Sequence, residues 1–250
     1  MERFYIRLAE KNFGITAHYA ETRKFCRDYL IDEPEQVDYE VQVAETEIAT
    51  MRGKALRPMY AGCTDGYIEF LALYRPILEN LLECRTVLFH GSAIAVDGEV
   101  YIFTAPSGTG KSTHTRLWRD MLGARAQMVN DDKPLLRLNG DGSVTVFGTP
   151  VNGKHYLGGN VALPLKCVCV IEQARENQIE PVSVRDGFQA LFLQTYLREY
   201  PRNLDVSSMK RTLEVLGGIM EKPLWRLKCN ISREAAKLSY EAMSGKKLEE

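Results

Sequence analysis

The segment Ala105-Pro106-Ser107-Gly108-Thr109-Gly110-Lys111-Ser112 constrains the chain more than any other stretch. It follows EVYIFTA, which reads as a strand, and opens HTRLWRDML, which reads as a helix. A glycine loop between a strand and a helix is at home in a sheet with helices packed on it, so an α/β class is expected. The residue types suit a phosphate. Gly108 and Gly110 let the backbone curl until successive N–H groups face inward, and the helix beginning near Lys111 adds its positive end. The Lys111 ammonium can bridge β- and γ-phosphates, and the Ser112 hydroxyl can ligate a Mg²⁺ ion on them. Ser107, Thr109 and Thr113 complete the expected binding set. Thr113 stands where a dinucleotide fingerprint needs its third glycine, so that alternative is disfavoured.

The chain before the loop places a histidine. TVLFHGSAIAV reads as one strand, and Asp97-Gly98 as a two-residue hairpin turn. That turn sets Val96 opposite Glu99 and His90 opposite Ala105, the first residue of the loop. A bulge at Gly91 would shift this by one. Behind the helix, the short apolar run Met128-Val129 leads to Asp131-Asp132. Phosphoryl transfer needs a metal ligand and a group that takes the acceptor's proton. Asp131 and Asp132 are candidates for both tasks, and which carboxylate takes which stays open. His90 is expected near the same point, bonded to an Asp or to the acceptor hydroxyl. The preceding hairpin, and another around Asn139-Gly140-Asp141-Gly142, predict a mixed twisted sheet with antiparallel hairpins around the loop.

Residues 1–84 read as a small N-terminal α/β region and 85–250 as the domain carrying the loop. In the first, FYIRLA, FGITAHY and DYEVQV read as strands, and TRKFCRDYLI as a short helix. Gly66–Glu83 reads as a helix, with Phe70, Leu73, Ile77 and Leu81 on one face and Pro76 expected to kink it. In the second, LKCVCVIEQ reads as a buried strand, with Cys167 and Cys169 sharing a face. RDGFQALFLQTYLREY, MKRTLEVLGGIM and SREAAKLSYEAM read as C-terminal helices, with the strand PLWRLKC before the last. The loop VNGKHYLGGN offers Lys154, His155 and Asn152 as contacts to an acceptor or a phosphate. Trp118 is read as a packing residue.

Composition narrows the partners. Lys plus Arg total 32 against 33 Asp plus Glu, which supplies no positive field for nucleic acid. No apolar run approaches the ~20 residues that span a bilayer. The start MERFYIRLAE is charged from its second residue and carries no signal-peptide core. The six cysteines are scattered without a CxxC pair. A cytoplasmic protein is expected, with no nucleic acid and no membrane as partner.

The order HGSAIAVDGEVYIFTAPSGTGKST, then VNDDKPLL, resembles the HPr kinase/phosphorylase family and the wider phosphoenolpyruvate carboxykinase-like P-loop fold. The resemblance covers about residues 86–175 and looks most like an uncharacterised bacterial branch. It implies the fold of the HPr kinase C-terminal domain. It also implies a site made of His90-Gly91, Ala105 to Ser112 and Asp131-Asp132, and ATP and Mg²⁺ as cofactors. The implied activity is transfer of a γ-phosphoryl group to a hydroxyl, of a serine in a protein or peptide. Homo-oligomers belong to the same resemblance. The chain departs from the family at Ala105, where the first loop glycine stands, and at Asn130, where a small apolar residue is usual. It departs again at GTPVNGKHYLGGN, which replaces a glycine-rich signature segment. The resemblance therefore supports a phosphotransferase more than HPr as its acceptor or the reverse, phosphorolytic reaction. A nucleotide-binding regulatory module and a small-molecule kinase on the same fold are the alternatives.

Overall fold

The computed structural model describes residues 1–54, 62–153, 155–195 and 205–248. It has the mixed α/β architecture expected. Near the N-terminus, β1 (Glu2–Leu8) and β2 (Lys11–Ala17) form an antiparallel hairpin with Leu8 opposite Lys11. Its two turn residues, Ala9 and Glu10, take φ of 46° and 60°. Positive φ at both positions matches the right-handed twist of the strands. β3 (Leu30–Ile31) and β4 (Tyr39–Gln42) flank the hairpin in the order β3-β1-β2-β4. The predicted helix at 22–31 is only the single turn α1 (Thr22–Phe25) and a 3₁₀ turn leading into β3.

Two helices follow, and buried side chains of both join the core beside this sheet. α2 (Glu45–Lys54) was not expected, because its sequence ETEIATMRGK has no apolar stripe. α3 (Asp65–Glu83) is capped by Thr64, whose side chain accepts from the Tyr67 N–H at 3.3 Å. It runs unbroken through Pro76, with the side-chain amide of Asn80 donating to the Pro76 carbonyl.

The second sheet begins at Thr86 and holds nine strands among the described residues. β5 (Thr86–Leu88), β6 (Ser92–Val96), β7 (Glu99–Thr104), β8 (Ala126–Asn130), β9 (Leu135–Leu138), β10 (Val144–Phe147) and β11 (Ala162–Gln173) form the path β5-β9-β10-β11-β7-β6-β8. β13 (Leu224–Cys229) pairs parallel with the second half of β11 and antiparallel with β12 (Gln178–Pro181). β7 lies between antiparallel β6 and parallel β11, so the sheet is mixed. The hairpin register is the one expected, with Val96 opposite Glu99 and Ser92 opposite Phe103. The strand read over 86–96, however, is two strands. It breaks at Phe89-His90-Gly91, where the chain leaves β9 and joins β7. Close packing forces glycine there, since a Cβ on Gly91 would sit 2.9 Å from the Ile102 side chain.

Both faces of this sheet are covered, which explains the near-continuous apolar runs. α4 (Lys111–Leu122) and α7 (Arg233–Ser244) pack over Ile94, Tyr101, Phe103, Cys167 and Cys169. α5 (Val184–Gln194) and α6 (Val206–Met220) pack over Ala93, Val100, Ile102 and Val168 on the other. Trp118 is fully buried against Tyr101, Phe103 and Tyr240, a packing residue as read. Cys167 and Cys169 are buried and form no disulfide. The helix read over 185–200 ends at Gln194, and 196–204 lie outside the described residues. No helix among the described residues is long and apolar enough to cross a membrane.

Candidate functional site

β7 delivers the chain to the glycine loop at the edge where the β6–β7 pairing ends and β8 stops. Ala105 is buried, while Pro106, Ser107 and Gly108 are exposed. Gly108 and Gly110 have φ of 82° and 115°. No neighbour would meet a Cβ at either place, so dihedral freedom and not space calls for glycine. The Gly110 carbonyl accepts the His114 N–H at 2.9 Å, which starts α4. The first N–H groups of that helix therefore point out beside the loop. Gln173, at the end of β11, donates to the Thr109 carbonyl at 3.2 Å and holds the loop from its far side. Ser112 is exposed on the first turn and Thr113 half-buried.

Lys111 is 7% exposed, and its Nζ donates to the Ala105 carbonyl at 2.9 Å. Burial lowers its pKa, and the charge of Asp132 opposes that shift. Lys111 in turn helps hold down the pKa of His90, for which burial is the larger cause. The His90 Nε2 stands 3.5 Å from Asp132 Oδ1. Three side chains from three separate segments thus share one electrostatic centre. The Gly91 N–H donates to the Asp132 carbonyl at 2.9 Å, and Thr104 Oγ1 donates to the His90 carbonyl at 2.8 Å. These bonds pin both segments to the end of β7.

The two carboxylates have different surroundings. Asp131 is 3% exposed, with the Gly153 N–H donating to its Oδ1 at 2.6 Å. Burial raises its pKa, while the N–H groups of Gly153 and Leu157 oppose that. Its Oδ2 is buried with no hydrogen-bond partner among the described residues. Asp132 is about one-third exposed, beside His90. A buried carboxylate oxygen without a donor calls for a cation or a proton. Hydroxyl and carboxylate oxygens are the hard donors that Mg²⁺ prefers, so Asp131, Asp132 and Ser112 fit such an ion by chemistry. No cluster of three or more His, Cys, Asp or Glu that could hold a metal occurs among the described residues.

Two contributors went unread in the sequence. Asn130 appeared only as a departure from a family pattern. It is fully buried, and its Oδ1 accepts the N–H groups of Asp132 at 2.9 Å and Lys133 at 2.5 Å. Its Nδ2 faces the Thr149 and Val151 carbonyls and Asn152 Oδ1, at 3.0–3.3 Å. It joins the acidic turn to the 149–153 loop. Gln194 contacts His90 from 104 residues away, a distance at which no local pattern could have shown it.

Among the loop candidates, Asn152 is engaged by Asn130. His155 is exposed, and Lys154 lies outside the described residues.

No family model matches the sequence, and no curated protein matches it. Among solved structures the chain is similar to the HPr(Ser) kinase/phosphatase from Coxiella burnetii. The TM-score is 0.34 at 11% identity, covering 63% of this chain and 93% of that one. So remote a likeness leaves the functional reading to rest on the residues themselves.

Proposed function

We propose that this chain binds a nucleoside triphosphate with Mg²⁺ and moves its γ-phosphoryl group to a hydroxyl, with a serine of a protein or peptide as the acceptor class. The observation that carries this reading is convergence. Lys111, at the start of α4, shares one electrostatic centre with the His90–Asp132 pair at the mouth of the glycine loop. A nucleotide-binding site alone has no use for a histidine–carboxylate pair at that point.

The loop N–H groups and the first turn of α4 hold the phosphates, and Lys111 exchanges its loop carbonyls for phosphate oxygens. Its charge then lies where negative charge gathers in the transition state. Ser112, Asp131 and Asp132 would hold the ion, which would neutralise negative charge on the phosphates. The acceptor oxygen forms its bond to phosphorus as the bond to the β-phosphate oxygen breaks. Its proton passes to the His90–Asp132 pair. Burial keeps His90 neutral near pH 7 and able to accept it.

The test is transfer from γ-labelled ATP, with Mg²⁺, to components of a cell lysate. Label should reach a discrete component, and Lys111→Ala should cut transfer by about 10²-fold or more, as loss of one transition-state donor does. Tight nucleotide binding with no transfer to any acceptor would overturn the reading in favour of a regulatory nucleotide-binding module.

A further inference from the structure

Gln194 is the last residue of α5, and it grips His90 at two points. The Gln194 carbonyl accepts the His90 N–H at 2.8 Å, and Gln194 Oε1 lies 2.7 Å from His90 Nδ1. The helix end is itself anchored. Thr195 is buried and bridges to Phe89, and its hydroxyl donates back into the last turn of α5, to the Phe192 carbonyl at 2.8 Å. The grip thus joins the break between β5 and β6 to the C-terminus of a helix on one face of the sheet.

We infer that Gln194 is a positioning residue that sets the tautomer and ring orientation of His90. The inference rests on the phosphotransferase reading for its catalytic meaning, and on the geometry alone for its structural content. An amide oxygen can only accept, so Nδ1 carries the hydrogen in the neutral ring. That leaves Nε2 without a hydrogen, 3.5 Å from Asp132 Oδ1. Such a nitrogen beside a carboxylate is poorly placed at rest and well placed once a proton arrives, because the imidazolium then donates to Gln194 on one side and Asp132 on the other. Without the Gln194 oxygen, Asp132 would draw the single ring hydrogen to Nε2. The nitrogen meant to receive the acceptor's proton would then be occupied.

The experiment is a ¹H–¹⁵N correlation spectrum of the histidine rings at one pH, about 8, where an unperturbed imidazole is neutral. The chain has four histidines, so signals can be assigned by single replacement. The unmodified protein should show His90 with its hydrogen on Nδ1. Gln194→Leu should move it to Nε2, and Gln194→Glu, which keeps an acceptor, should leave it on Nδ1. In the transfer assay Gln194→Leu should lose about 10-fold or more in kcat with KM for nucleotide unchanged, and Gln194→Glu should recover most of it. His90 carrying its hydrogen on Nε2 in the unmodified protein would overturn the inference, and that measurement needs no variant to fold. Equal kcat in Gln194→Leu and the parent would also overturn it. An Nδ1 hydrogen in a protein that transfers no phosphate would uphold the placement of His90 and count against the phosphotransferase reading instead.

Discussion

Asn130 satisfies both sides of the acidic turn at once, accepting from the backbone of Asp132 and Lys133 while its amide faces the carbonyls of Thr149 and Val151. An acid there would set a carboxylate oxygen against those carbonyls in a dry site. Asn130→Asp should therefore cost about 3 kcal/mol, read as a shift of the urea midpoint, and an unchanged midpoint would show that the turn does not depend on the amide. The neighbours divide by exposure. Asp132 lies beside His90 and open to an acceptor, whereas Asp131 is buried under Gly153. Asp132→Asn should lower kcat by about 10²–10⁴-fold, the range for losing general-base catalysis, because the imidazolium formed at His90 then lacks its carboxylate partner. Full activity in the double variant Asp131→Asn/Asp132→Asn would defeat the proposed chemistry altogether.

At the scale of elements, α4 and α7 meet through one polar cluster inside an apolar layer. Ser239 Oγ accepts from Trp118 Nε1 at 2.9 Å and lies 2.8 Å from His114 Nε2, while it donates to the Ala236 carbonyl at 3.0 Å. Burial lowers the pKa of His114 from 6.5 to about 4. The unfolded chain takes up this proton near 6.5 and the folded chain only near 4, so the stability due to His114 is intact above about pH 6.5 and falls as the pH drops toward 4. A shift of that size is worth about 3 kcal/mol across the window. His114→Gln, measured in metal-free buffer by urea midpoint against pH, should flatten that acid limb, and parallel curves for the two proteins would refute the assignment. Elements with a local signal were legible in the sequence. The Asp97-Gly98 turn, the glycine loop before α4 and the apolar face of α3 all appear where their patterns place them. What escaped has no local period. The parallel pairings of β11 with β7 and β13 join residues far apart in sequence. The break at Phe89-His90-Gly91 comes with a change of partner strand, from β9 to β7, which no local pattern shows. Gln194 meets His90 only because α5 ends against the β5–β6 break. Lys111, His90 and the pair Asp131-Asp132 could be named as candidates from motif and turn arithmetic, but neither which carboxylate faces His90 nor the shell around them could.

For the whole molecule, the question is whether the N-terminal sheet and the larger sheet fold as one. One buried cluster contains Phe4, Ile6 and Phe13 from the first and Leu88, Leu135 and Phe147 from the second. Arg137 of β9 reaches across, donating to the Ala9 carbonyl at 3.2 Å and pairing with Glu10, with its guanidinium 4.7 Å from the Phe147 ring centre. It thereby holds the left-handed turn residues of the first hairpin. Tyr29 Oη donates to the Gly159 carbonyl at 3.3 Å, and Gly159 belongs to the loop whose Gly153 bonds Asp131. A chain of 250 residues would ordinarily be expected to show unfolding intermediates. A shared core and a shared loop argue for one transition instead. Both tryptophans, Trp118 and Trp225, lie in the larger unit, whereas far-UV circular dichroism reports on all the secondary structure. The two signals should trace the same urea curve. Arg137→Ala should move both midpoints together, by about 1–3 kcal/mol for the lost hydrogen bonds and cation–π contact. If dichroism falls first while tryptophan fluorescence holds, the N-terminal sheet unfolds by itself, and its contact through Tyr29 cannot be what steadies the loop around Asp131.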